Sequence, residues 1–124
     1  MSSDEVTTTE GLEITVTHGE EGIVTSLSGR LNIDSSPAFR DRLLAILHSE
    51  TPEGVIVDLT DVSYMDASGI ATLIEALKVA LNRETTLRLR GLHDRLLHLF
   101  QVTGVLSLFE THKRAGAPPV AGVI

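Results

Sequence analysis

The sequence predicts an α/β domain. A mixed, mostly parallel central sheet of about four to five strands opens on an N-terminal hairpin and is flanked by helices. Three observations carry this. A segment near the N-terminus alternates apolar with polar residues, the period of a half-buried strand, and a turn leads it into a second strand-like segment. Beyond them, segments with the 3.6-residue period of amphipathic helices alternate with short apolar runs. Glycine, proline or an acidic turn separates most of these segments.

Residues 1–10 are Ser, Thr and acid with little periodicity, and are expected to form a flexible acidic N-terminus. Leu12, Ile14 and Val16 alternate with Glu13, Thr15 and Thr17 as a first strand. His18-Gly19-Glu20-Glu21-Gly22 turns the chain into a second strand over Ile23–Ser28, and Gly29-Arg30-Leu31-Asn32 breaks the regularity. Ser36-Pro37 starts a helix, with Ser as cap and Pro at the first helical position, where no hydrogen bond is lost. Phe39, Leu43, Ile46 and Leu47 fall on one face of it. Val55-Ile56-Val57 is continuously apolar, as in a central strand covered on both faces. A second helix follows Asp66-Ala67-Ser68-Gly69, with Ile70, Leu73, Ile74, Leu77 and Leu81 as its apolar stripe. Leu87 and Leu89 mark another strand. Asp94 is placed to cap a third helix carrying Leu96, Leu97 and Phe100, with Gly104 as its stop. Val105–Phe109 reads as a short last strand, and residues 113–124, with Ala115-Gly116-Ala117-Pro118-Pro119, as a flexible tail. The folded domain is thereby placed at residues 11–112.

Composition narrows the function. One domain is expected of 124 residues. The chain has no Cys, which excludes disulfides, thiolate metal sites and cysteine nucleophiles, and no Trp, so its core must be aliphatic. The net charge of −7 is concentrated in residues 1–21, which hold six acids and no Lys or Arg. The remaining 11 acids and 10 basic residues nearly cancel, so no basic stripe is available for nucleic acid. The acidic end reads as a solvated segment. No apolar run approaches the ~18–20 residues of a membrane span. The first residues lack the basic and apolar parts of a secretion signal, so a soluble cytoplasmic protein without direct membrane insertion is expected. The five His (His18, His48, His93, His98, His112) show no i, i+4 pair, and the glycines form neither a P-loop nor a dinucleotide fingerprint. No metal, cofactor or catalytic residue is expected, and the protein is not expected to be an enzyme.

One stretch stands apart, Val57 to Ile70, where a buried strand passes through polar residues into a helix entered by small residues. Gly69 would cost a helix interior about 1 kcal/mol relative to Ala but is tolerable in the first turn, where it lets another backbone approach. Ser68 is able to accept a hydrogen bond from a first-turn amide, and the positive end of the helix dipole would favour an anion there. Spacing alone leaves two readings open, helix caps only or a functional junction.

These residues resemble the STAS family of anti-sigma-factor antagonists (anti-anti-sigma factors). The family's strand ending in Asp-Leu and its F/Y-[MI]-D-S-S-G-[LI] loop stand here as Val57-Asp58-Leu59 and Tyr64-Met65-Asp66-Ala67-Ser68-Gly69-Ile70. An earlier G-[ER]-L-D segment stands as Gly29-Arg30-Leu31-Asn32, and a late L-F-x-x-[ST]-G segment as Leu99-Phe100-Gln101-Val102-Thr103-Gly104. The resemblance spans residues 12–112. It implies a single STAS-like domain that binds a serine-kinase-type anti-sigma factor in the bacterial cytoplasm and so regulates sigma-factor-dependent transcription. Phosphorylation of the loop's first Ser releases such antagonists, because a phosphate adds about −1.5 to −2 charge to the contact surface.

Here that position is Ala67, and Asn32 replaces the usual Asp. The switch is therefore lost or displaced to Ser68, the phosphorylation candidate; Thr60 and Ser63 have weaker claims. The resemblance places partner binding on Asn32, Asp34, Ser35, Asp66, Ala67, Ser68, Gly69 and Ile70. STAS domains are also accessory subunits of bacterial lipid-transport ABC complexes, where they bind the ATPase without phosphorylation. Ala67 and the run from Ser68 to Leu77 resemble those as well. An enzyme of unknown type is a third class.

Overall fold

The structure is a computed structural model describing residues 5–49, 54–111 and 123–124. Its elements in order are β1 (Glu5–Thr9), β2 (Leu12–Gly19), β3 (Gly22–Leu31), α1 (Ser36–Ser49), β4 (Gly54–Met65), α2 (Ala67–Asn82), β5 (Thr86–Arg90), α3 (Asp94–Val102) and α4 (Val105–Thr111). One five-stranded sheet runs β1-β2-β3-β4-β5. The first two pairings are antiparallel and the last two parallel. Because β3, β4 and β5 step in one direction, right-handed crossovers place α1 and α2 on the same face.

That face holds the core. Leu12, Ile14, Val16, Leu27, Val57 and Leu59 point into it from the sheet, and Phe39, Leu43, Leu73, Ala76 and Leu77 from α1 and α2. The opposite face is polar. A row running Thr17, Val24, Ile56, Arg88 crosses it in register. Val24 and Ile56 are buried there without joining the core cluster. The apolar run at Val55–Val57 thus marks a strand buried on both faces, as expected, with α1 and α2 on one of them.

Five expectations need correction. Glu5–Thr9 is not a loose end but an edge strand paired with β2, joined through a tight turn with positive φ at Glu10 (46°) and Gly11 (78°). Its Val-Thr-Thr-Thr run is β-branched, which favours a strand despite its exposure. Val105–Phe109 is helical: Val105 and Phe109, four apart, are both buried, while the β5 edge is taken by Ile124, whose N–H and C=O bond to Leu89 at 2.9 and 2.8 Å. The end of the predicted tail is therefore tied to the sheet, and residues 112–122, His112 among them, lie outside the described residues. Asp94 is the first residue of α3 rather than its cap, which is His93, whose side chain makes no capping bond. Leu81, assigned to the core stripe, is 44% exposed near the end of α2.

Two of the N-terminal acids reach partners while staying mostly exposed. Glu5 pairs with Arg42 on α1 at 2.5 Å, and Glu21 with Arg90 at 3.3 Å.

Candidate functional site

β3 and β4 are parallel neighbours that end side by side, Leu31 opposite Met65. Ligand sites in parallel α/β sheets lie beyond such carboxyl ends. Two loops leave here, Asn32–Ser35 leading to α1 and Asp66 leading to α2. The Asp66 N–H bonds to the Leu31 carbonyl at 3.2 Å, so the strand pairing continues into the junction.

Asp66 organises the site. It is the N-cap of α2, with extended backbone. Its Oδ1 accepts from the Ser68 N–H at 2.9 Å and the Ser68 hydroxyl at 2.5 Å, and its Oδ2 accepts from the Ile33 N–H at 3.1 Å. One carboxylate thus caps a helix and fixes a loop 33 residues earlier in the chain. The Ser68 hydroxyl bond holds the Asp66 carboxyl below the ordinary aspartate range; partial desolvation opposes this, and the N–H groups of Ser68, Ile33 and Gly69 reinforce it.

The first loop is held from within. Asn32 Oδ1 accepts from the N–H groups of Asp34 (3.0 Å) and Ser35 (3.2 Å), the turn that Asx residues favour. The Ser35 hydroxyl donates to the Arg30 carbonyl at 2.7 Å, and its oxygen accepts from the Asn32 N–H at 3.0 Å. Ser35 is fully buried. With these side chains turned inward, Ile33 is turned out, 73% exposed.

The sequence-predicted site residues therefore divide. Asp66, Ser68, Gly69 and Asn32 converge on the junction. Asp34 and Ala67 are exposed beside it, whereas Ser35 and Ile70 are buried and offer a visitor no side-chain surface. Gly69 admits side chains rather than another backbone: a Cβ there would lie 2.8 Å from Met65 Cγ and 2.9 Å from Leu31 Cδ2. Ser68 does not accept from an amide; its hydroxyl donates to Asp66. Ser36 does not cap α1 either. Its oxygen lies 3.0 Å from the Ser68 oxygen, joining the first turns of the two helices.

Sequence reasoning missed Ile33, Arg40 and Glu75. The signal for Ile33 was an apolar residue between Asn32 and Asp34, outside any strand or helix stripe. Arg40 on α1 and Glu75 on α2 form a two-pronged pair, Nε to Oε1 at 2.7 Å and Nη2 to Oε2 at 2.6 Å, across an open groove of about 330 Å³ that begins at Ser36 and Ser68. Nothing local in the sequence links positions 35 apart. At the rim, the Arg30 guanidinium sits 4.5 Å over the Tyr64 ring. Ile33, Ala67 and Asp34 face outward here, and the polar groups of Asn32, Ser35, Asp66 and Ser68 behind them are satisfied.

Comparison with known proteins agrees with this architecture. Residues 14–110 match the family described as "Mlab, STAS domain". An anti-sigma-B factor antagonist of Bacillus subtilis is 27% identical over 99 residues, 80% of this chain and 89% of the relative. That of Listeria monocytogenes is 34% identical over 86 residues, 68% of this chain and 73% of the relative. The crystal structure of an anti-sigma factor antagonist from Mycobacterium paratuberculosis superposes with a TM-score of 0.58 at 19% identity, covering 88% and 83% of the two chains. No helix among the described residues is long and apolar enough to cross a membrane. The chain belongs to the STAS domain family.

Proposed function

We propose that this protein is a cytoplasmic anti-sigma-factor antagonist: it docks on a serine-kinase-type anti-sigma factor through the surface where β3 and β4 end, and frees the sigma factor. The observation that carries this is the Asp66 junction, which spends its polar groups internally and presents Ile33, Ala67 and Asp34 to a visitor. Burying an exposed isoleucine in a partner is worth about 1.5–3 kcal/mol. The relatives named as anti-sigma-B factor antagonists support the choice of partner. Binding is the whole task on this reading; no turnover is required.

Ser68 is the phosphorylation site on this reading, since Ala67 has no hydroxyl. In the transfer from a nucleoside triphosphate bound to the kinase, the Ser68 Oγ–P bond forms as the β–γ bridging P–O bond breaks. The nucleoside diphosphate leaves with that electron pair, and the hydroxyl proton passes to Asp66, which already accepts it, and then to solvent. The modified oxygen has no proton left for Asp66, and the added charge repels the carboxylate that holds Ile33 in place. Phosphorylation thereby disturbs both halves of the surface.

The test is calorimetric titration of the purified kinase-type anti-sigma factor of the same genome with wild type and Ile33→Asp. The expected result is at least a tenfold loss of affinity at an unchanged melting temperature. Equal binding by the two proteins would overturn the reading. Ala67 favours one second reading, an accessory subunit that binds an ABC-transporter ATPase without phosphorylation. Capture of that ATPase, and no capture of the anti-sigma factor, would select it.

A further inference from the structure

The groove between α1 and α2 is built asymmetrically. Ser36 and Arg40 lie one turn apart on α1, and Ser68, Thr72 and Glu75 follow one face of α2. The hydroxyls at its foot have an assigned direction. Ser68 gives its only proton to Asp66, so the 3.0 Å contact between the two serines is donated by Ser36. The charged groups facing this space are Asp66 at the loop, Asp41 and Arg40 on α1, and Glu75 on α2. Arg40 is the one cation among the described residues that line it; its fork is engaged by Glu75, and its Nη1 also lies 3.6 Å from the Asp41 carboxylate.

A phosphoryl group on Ser68 would change the balance at the foot. Its oxygens accept and do not donate. The Ser36 hydroxyl can point to them, but Asp66, Asp41 and Glu75 cannot. A guanidinium fork matches phosphate as well as carboxylate, and the phosphate carries the larger charge. The pair it must leave is two-pronged but half-exposed, at 46% and 41% of the two side chains, so solvent screens it.

We infer that Arg40 is the internal receiver of a phosphoryl group on Ser68, exchanging Glu75 for the phosphate and carrying the modification along the α1–α2 groove. The inference rests on Ser68 being the modified residue. It adds that modification is read at a distance from the loop: Glu75 is released as a free carboxylate, and the outer face of both helices changes charge pattern. Arg40 acts as a positioning residue for the phosphate, with no part in its transfer.

The experiment uses the full chain with phosphoserine installed at position 68 during translation, and follows the phosphate by ³¹P NMR against pH. The ordinary second ionisation lies at about 6. A cation at contact distance should lower it, and Arg40→Gln should raise it by about half a unit relative to the phosphorylated parent. Glu75→Gln, which frees Arg40 from its competitor, should shift it the other way. Arg40→Lys, which keeps the charge without the fork, should fall between, and serves if Arg40→Gln does not fold. An unchanged titration in the Arg40 variants, or a rise in Glu75→Gln, would overturn the inference. Because the phosphate is installed in translation, this outcome is independent of whether a kinase labels Ser68. That reading fails separately, if the kinase-type partner transfers no label to Ser68.

Discussion

Two of the chain's four Asp-x-hydroxyl units lie eight residues apart and close on themselves in the same way: Asp58-Leu59-Thr60 within β4, and Asp66-Ala67-Ser68 where β4 gives way to α2. Their local geometry is nearly the same. Asp58 Oδ1 accepts from the Thr60 N–H at 2.9 Å and its hydroxyl at 2.6 Å. Asp66 Oδ1 accepts from the Ser68 N–H at 2.9 Å and its hydroxyl at 2.5 Å. They differ at the second oxygen. Asp58 Oδ2 meets the Arg90 guanidinium at 3.0 Å, and Arg90 continues to Glu21. Asp66 Oδ2 meets the neutral N–H of Ile33, in an exposed loop. The same motif is thus neutralised and built into the sheet in one place, and left as an anion holding an exposed loop in the other. What separates the two units is the charge on the second partner, not the motif.

The comparison predicts where substitutions will be costly, the largest effect coming from Gly91. It has φ +80°, and a Cβ there would lie 2.2 Å from Thr60 Oγ1 and 2.7 Å from Thr60 N. Gly91→Ala would strain the backbone and break the Asp58 unit, costing about 2–4 kcal/mol in chemical denaturation. Partner affinity should stay within twofold. Gly69→Ala meets side-chain carbons, Met65 Cγ and Leu31 Cδ2, rather than backbone, at a position without positive φ, and should cost less. The reverse order would mean that the Asp66 unit is the structural one.

The carboxylates themselves should separate next. Asp58→Asn leaves the part-buried Arg90 guanidinium short of its partner and should cost about 1 kcal/mol. Asp66→Asn keeps a cap acceptor and should cost less, while weakening partner binding more than Asp58→Asn does. Their pH dependence has one sign. Burial pushes the Asp58 carboxyl up, but the Thr60 hydroxyl and N–H and the Arg90 guanidinium outweigh it, so its net displacement is downward. The Asp66 carboxyl is also lowered, chiefly by the Ser68 hydroxyl. Each therefore contributes stability that is fully present above the ordinary aspartate range and lost as pH falls through its lowered folded value. Thermal melts between neutral pH and pH 2 should show a steeper acid loss in wild type than in either Asn variant. A wild-type curve parallel to both would contradict the assignment.

Much of this fold was legible in hydrophobic period. Leu12, Ile14 and Val16, the α1 face from Phe39 to Leu47, and Leu87 with Leu89 are where alternation and helical spacing place them. β4 was legible only at Val55–Val57. Register shifts against β3, between Ser26 and Ser28 and between Gly29 and Arg30, break its alternation, so Val62 and Met65 point inward out of step. Val105–Phe109 was misread because a five-residue apolar run suits a strand or a helix turn equally, and only a tertiary fact, Ile124 on the β5 edge, decides it. At the candidate site the residues that bond locally, Asp66 and Ser68, were legible. That Ser35 turns in and Ile33 out was not, because the direction depends on a carboxylate 33 positions away.

The central claim is that the outward residues beside Asp66, and not the charged face around Asp58, receive the partner. Methyl NMR of the selectively labelled protein, titrated with the kinase-type anti-sigma factor, tests it most directly. The account predicts that Ile33, Ala67 and Ala71 shift and broaden while Val24 and Ile56, on the Asp58 face of the sheet, stay in place. Shifts confined to Val24 and Ile56 would contradict it.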